Sequence, residues 1–254
     1  MRFLLVCIAV LARSAAAFAQ GAILETPDDL RAAPSPEGFR GQIPARVDLS
    51  PKMPPPRSQG LTSTCVSWGA TYAAASLALR ARGFSSELTL SPSFTYNQIS
   101  RDEWCATGTK ISATLDLLRD SGALPIGEFA FDGAWCGRLP TKSELERARE
   151  FRIKSWTAFD ASSLDRVKEQ LARGVPVIFN ISTPTKLSSL QGDAVLTDDG
   201  VQGQGHTMVV VGYDDAKGAF LIQNSSGQSW ASKGYGWFGY EFFRRNVGPG
   251  FVIE

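Results

Sequence analysis

Gly203-Gln204-Gly205-His206-Thr207-Met208-Val209-Val210-Val211-Gly212-Tyr213-Asp214-Asp215 carries the only histidine of the chain, at the head of an apolar run. The run is short, β-branched and ends in a turn, as a buried strand does. Histidine is the usual general base for a thiol or hydroxyl near neutral pH. Any such chemistry in this chain must therefore pass through His206. Upstream lies Ser58-Gln59-Gly60-Leu61-Thr62-Ser63-Thr64-Cys65, and downstream lies Phe220-Leu221-Ile222-Gln223-Asn224-Ser225. Glutamine, cysteine, histidine and asparagine, in that order, are the parts of a thiol nucleophile with its base, its base-orienter and an oxyanion donor.

The elements around these residues agree with those roles. Residues 65–82 are Ala-rich, free of glycine and proline after Gly69, and stopped by Gly83, which predicts a helix beginning at Cys65. Thr62, Ser63 and Thr64 are offered as its caps. A thiolate at a helix N-terminus is favoured by unpaired N–H groups and by the helix dipole. Further helices are expected at 111–121, 139–151 and 164–173, followed by a buried strand, Val175-Pro176-Val177-Ile178-Phe179-Asn180-Ile181. Strands at 206–213, 219–224 and 234–239 complete the reading. Helices thus dominate the first half and antiparallel strands the second, which gives an α+β fold of two lobes. The nucleophile helix belongs to the helical lobe at about 55–150. His206 and Asn224 belong to the sheet lobe at about 151–254, with a cleft between the two.

Composition sets the class. The chain has 254 residues, 43% of them hydrophobic and 20% charged, with a net charge of +1. That describes an ordinary globular protein, and nothing in the charge points to nucleic acid or an anionic membrane. Arg2, the apolar run 3–12 and Ala17-Phe18-Ala19 form a signal-peptide pattern, with removal expected after Ala19. Arg13 ends a run too short to span a bilayer. The expected location is periplasmic or extracellular. Residues 20–42, polar and with Pro27, Pro34 and Pro36, read as a short flexible leader, and 43–254 as the functional domain. Loss of Cys7 with the signal leaves three cysteines. Cys105 and Cys136, which flank one predicted helix, are the expected disulfide, and Cys65 is left as a free thiol. One histidine and distant cysteines fit no metal site, and no glycine-rich phosphate loop follows a strand. No cofactor is expected.

At these residues the chain resembles the papain family of cysteine peptidases, from about Ile43 to the C-terminus. Ile43-Pro44-Ala45-Arg46-Val47-Asp48 is similar to the family's mature start. Gln59-Gly60 through Cys65 keeps the family's six-residue step from glutamine to nucleophile. Leu90-Ser91-Pro92-Ser93-Phe94, the stretch from Gly122 to Cys136, the strand from His206, and Asn224-Ser225 to Trp230 and on to Phe238 also match. The resemblance implies Cys65, His206, Asn224 and Gln59 as the catalytic set. It implies peptide or protein substrates, a proteinaceous inhibitor as a further partner, and a monomer. Substrate is expected against Trp68, Gly108 and Gly205. The family's paired cysteine three residues before the nucleophile is Thr62 here, its tryptophan after the nucleophile is Val66, and its aromatic two after the asparagine is Ser226. Trp230 is a candidate shield for the His206–Asn224 bond, and Asp198 and Asp199 are rival orienters in a solvated loop. The leader is far shorter than the inhibitory propeptide of eukaryotic members. Two other readings stay open: a binding module on a peptidase scaffold, and an acyl-enzyme that passes its acyl group to an amine.

Overall fold

The computed structural model describes residues 21–197 and 200–254. The signal-peptide pattern and the Asp198 and Asp199 readings lie outside the described residues. One sheet organises the chain. Its strands are β1 (Arg46–Asp48), β2 (Trp156–Asp160), β3 (Val177–Pro184), β4 (Val195–Leu196), β5 (Val201–Asp214), β6 (Ala219–Gln223), β7 (Tyr235–Gly239) and β8 (Val247–Ile253). The order is β2-β8-β3-β5-β6-β7-β4, with β1 paired to β5. All pairs are antiparallel except β4 with β7. The fold is α+β, with the histidine strand β5 at the middle of the sheet.

The nucleophile segment is one continuous helical run. It begins as α-helix Cys65–Ser67, widens to a π-helix over Trp68–Ala75, and returns to α-helix at Ser76–Ala81. Small residues fill it, and it is buried almost throughout. Gly69 explains how it comes so close to the sheet. A Cβ there would stand 3.0 Å from Thr207 Cγ2 and 3.5 Å from Val209 Cγ2. Bare backbone therefore lets the helix settle on β5 one turn from Cys65. Gly83, at φ +97°, ends the run as the sequence requires.

The apolar stretch in β3 is buried on both faces, Val177 to Ile181 being at most 1% exposed, so its continuous hydrophobicity needed no alternation. Each side chain of this size contributes roughly 1.5–3 kcal/mol when buried. Asn180 is the polar member of that run, and its amide needs partners. Helix Leu164–Ala172 covers the sheet with Val167 and Leu171, and helix Ile111–Asp120 turns Ile111, Leu115 and Leu118 to the core. Four strands and three helices went unread in the sequence: β1, β2, β4, β8 and helices Pro27–Leu30, Pro92–Ser100 and Tyr240–Asn246. β1 adds a strand from the first half of the chain to the sheet of the second.

Residues 21–30, read as part of a flexible leader, lie against the folded body. Ala22 N–H donates to Gly205 O at 3.0 Å, and Ile23 N–H to Thr109 O at 2.8 Å. Thr109 N–H donates to Gly21 O at 2.9 Å. Asp29 pairs with Lys110 at 2.7 Å. The leader carries too little apolar surface to announce packing. It is held by backbone rails and charge, with Ala22, Leu30 and Ala33 packed against the core.

Candidate active site

Cys65 opens its helix, His206 lies in β5, and Asn224 follows the last residue of β6. The β5–β6 register, Val209 opposite Gln223, brings the last two together. His206 Nε2 lies 2.8 Å from Asn224 Oδ1. Asn224 Oδ1 also accepts from Ser225 N–H at 2.8 Å, which fixes the amide's orientation. His206 Nδ1 is buried without a hydrogen bond of regular geometry, and this is the ring nitrogen left for the thiol. Cys65 is fully buried and His206 is 2% exposed.

Electrostatics favours a charged pair. Burial alone would push the Cys65 thiol up, but the hydrogen bond and positive charge of His206 outweigh it, helped by N–H groups of Thr207 and Gly21, and the thiol pKa falls below its ordinary value. Burial would push His206 down, but the bond and charge of Cys65, and then Asn224, raise it. The two shifts have one cause: each charge is the other's partner.

Gln59 is held at both ends. Its Nε2 donates to Thr62 O at 2.6 Å and its Oε1 accepts from Ser225 Oγ. Its backbone N–H donates to Ser225 O at 2.9 Å. Thr62 returns its hydroxyl to Gln59 O at 2.7 Å and meets Thr64 Oγ1. Hydrogen bonds thus organise the turn that a disulfide at position 62 would otherwise tie. They also replace the expected capping: Thr64 occupies the N-cap position but makes no side-chain cap bond. Cys105 and Cys136 are joined, with Cα atoms 5.3 Å apart, and Cys65 is free. Cys105 O accepts from Ser63 N–H at 2.7 Å, so the bridge steadies the approach to Cys65.

The three residues expected against substrate do not share one wall. Gly108 and Gly205 flank the leader. A Cβ on Gly108 would come 2.8 Å from Gly21 O, and one on Gly205 would come 2.3 Å from Ala22 O. Trp68 instead makes a tilted contact with Tyr72 and an edge contact with Phe131, at a groove of about 660 Å³ that also takes in Ser58 and Gly227. Trp230 donates Nε1–H to Leu187 O at 2.7 Å and lies on Gly236. The His206–Asn224 pair is buried, at 2% and 3%, with Ser226 in the aromatic's place.

Sequence reading missed two groups. Ser225 joins Gln59 to Asn224, and only its place beside Asn224 hinted at it. Glu25, Asn180 and Ser112 meet beside the cleft: Glu25 Oε2 accepts from Asn180 Nδ2 at 2.8 Å and Oε1 from Ser112 N–H at 3.1 Å. Among the described residues no cluster of three or more His, Cys, Asp or Glu is arranged to hold a metal, and no helix is long and apolar enough to cross a membrane.

The model of the Peptidase_C39 like family matches residues 72–245. The match begins after Gln59 and Cys65, so the nucleophile segment stands on the geometry above. Among solved structures, xylellain, a cysteine protease from Xylella fastidiosa, superposes with a TM-score of 0.83 at 23% identity, over 93% of this chain and 96% of that one. Digestive procathepsin L 3 from Tenebrio molitor larval midgut superposes with a TM-score of 0.75 at 15% identity, over 92% and 76%. By sequence, Peptidase 1 of Dermatophagoides pteronyssinus is 24% identical over 230 residues, 85% of this chain and 67% of that protein. Mouse (Mus musculus) cathepsin K is 24% identical over 205 residues, 78% of this chain and 60% of that one.

Proposed function

The chain belongs to the Peptidase_C39 like family and has the papain-like cysteine-peptidase fold, and from that premise we propose that it hydrolyses peptide bonds through an acyl-enzyme on Cys65. The observation that carries this is the buried Cys65–His206 pair, with His206 Nε2 held 2.8 Å from Asn224 Oδ1. The thiolate attacks the scissile carbonyl carbon, and the C=O electron pair moves onto oxygen. The N–H of Cys65 and the amide of Gln59 donate to that oxyanion. As the tetrahedral intermediate collapses, the C–N bond breaks and imidazolium Nδ1 gives its proton to the leaving amine. Neutral His206 then takes a proton from water, whose oxygen attacks the thioester and frees the acid and Cys65. Asn224 keeps the ring in plane throughout. Endopeptidase and aminopeptidase action both fit this chemistry. Export is part of the proposal, supported by the signal-peptide pattern at 1–19 and by the Cys105–Cys136 bridge.

The leader stands in the way of this reaction. The N–H of Gly21 reaches the Cys65 thiol, so the leader covers the nucleophile. A peptide must displace it. A second reading, a non-catalytic binding module, draws on that closed cleft and on Ser226. Labelling with a peptidyl epoxide at mildly acidic pH, read by intact mass and mapping, separates them. One adduct on Cys65, lost in His206→Ala, supports the peptidase. No adduct, even in a Glu25→Ala chain whose leader is loosened, favours the binder. Undiminished hydrolysis by Cys65→Ala would sink the peptidase reading.

A further inference from the structure

The pocket holding Glu25 is built from residues fixed by the rest of the fold. Asn180 sits in the central strand β3 and is 1% exposed. Thr207, its register partner and the residue after His206, donates Oγ1–H to Asn180 Oδ1 at 2.6 Å. That bond commits the carbonyl end of the amide and turns Nδ2 toward the pocket. Opposite stands the N-terminus of helix Ile111–Asp120, ten residues long, whose N-cap residue Lys110 makes no side-chain cap bond. The orphan N–H of Ser112 therefore needs an acceptor from elsewhere. A carboxylate satisfies both walls at once, one oxygen on Asn180 Nδ2 and the other on Ser112 N–H. The same helix end favours an acceptor by its dipole.

The pocket also lies beside the reaction site. Its floor residue Asn180 is bonded to the neighbour of His206. Thr109 and Gly205, on either side, hold extended backbone by three main-chain hydrogen bonds to residues 21–23. Any peptide bound on those rails presents side chains to the same donors.

We propose that Asn180 and the Ser112 N–H form a specificity pocket for a glutamate side chain of the peptide substrate, and that Glu25 of the leader is its resident occupant. The proposal rests on the peptidase reading for its link to cleavage, but the pocket itself is testable by binding alone. Loss of the two hydrogen bonds is expected to cost about tenfold or more in affinity or kcat/KM.

The test uses full-length chains carrying Glu25→Ala, so that the leader no longer fills the pocket. These are profiled with fluorogenic peptides varied among Glu, Gln, Ala and Leu at each position N-terminal to the scissile bond. At one position Glu should exceed Leu by about tenfold, and adding Asn180→Leu should abolish or reverse that order. No Glu preference, or one that survives Asn180→Leu, overturns the proposal. If Asn180→Leu does not fold, Asn180→Asp preserves size and sets an anion against the substrate, and must remove the preference too. In parallel, a labelled peptide of residues 21–30 and its Glu25→Ala form are titrated into the Glu25→Ala, Cys65→Ala chain by fluorescence polarisation. Equal affinities overturn the pocket. A Glu preference in binding with no cleavage of any peptide upholds the pocket and overturns the peptidase reading instead.

Discussion

The hydroxyl of Ser225 donates to Oε1 of Gln59, joining the asparagine corner of the sheet lobe to the turn that precedes the nucleophile. Because Ser225 N–H also serves Asn224 Oδ1, the oxyanion donor and the base-orienter share one intermediary. Ser225→Ala should remove one hydrogen bond from that buried amide oxygen, at a cost of about 0.5–1.5 kcal/mol. The expected result is a fall in kcat of about tenfold or more with KM little changed, since the oxyanion forms only after binding. A KM effect alone would show that Ser225 serves binding and not the transition state.

The pH profile follows from the opposed shifts of the pair. The active form is thiolate with imidazolium. kcat/KM should rise as pH passes upward through the lowered Cys65 pKa and fall as it passes the raised His206 pKa. Asn224 is one of the groups holding His206 up. Asn224→Ala should therefore move the alkaline limb to lower pH, besides lowering kcat. Iodoacetamide alkylation of Cys65 against pH reads the acid limb directly. A single limb at the ordinary thiol pKa of about 8.5 would contradict the pair.

Glu25 gives the leader a pH dependence of its own. Burial raises its pKa above the ordinary carboxyl value, N–H groups of Ser112 and Ile111 oppose this, and Asp29 adds to it. Asp29 is itself pulled down to about 2 by Lys110. A raised pKa in the seated state means that seating binds a proton. Closure is then fully supported below the free carboxyl's pKa and weakens as pH rises through the seated one. The ratio of Cys65 alkylation rates, Glu25→Ala over wild type, is taken after dividing each rate by that chain's own thiolate fraction, because Gly21 N–H also lowers the thiol pKa. It should be about tenfold at neutral pH and grow as pH falls. A flat ratio would detach Glu25 from the closure.

The Cys105–Cys136 bridge closes a loop of 31 residues in sequence separation, for which chain entropy gives about 3–4 kcal/mol. Replacing both cysteines by serine should lower stability by that order, measured by urea unfolding. Because Cys105 O holds Ser63 N–H, activity should fall before the fold is lost, seen as lower kcat at temperatures where circular dichroism is unchanged.

The parts of the site on regular elements were legible. A helix opened by Cys65 and a strand carrying His206 follow from composition and breakers, and their meeting follows from the α+β division. What stayed hidden depends on contacts distant in sequence. β8 reads Val247-Gly248-Pro249-Gly250 at its start, a loop by composition, and becomes a strand only by pairing with β2 and β3. β5 begins five residues before His206 because its glycines mask a strand that β3 completes. Asn180 carried no signal in its apolar run, since its partners, Thr207 and Glu25, lie 27 and 155 residues away. Trp68 packs against Tyr72 and Phe131 at a groove apart from Gly108 and Gly205, a separation that sequence order does not reveal.

The cover that Gly21 places over Cys65 bears on durability as well as on access. A thiolate is the form of cysteine most readily converted by peroxide to sulfenic acid and then, irreversibly, to sulfinic acid. With Cys65 wholly out of solvent and the other two described cysteines already spent on each other, an idle enzyme exposes no cysteine thiol among the described residues to oxidants. The nucleophile ages only while a peptide holds the leader aside, so its lifetime would be counted in turnovers more than in hours.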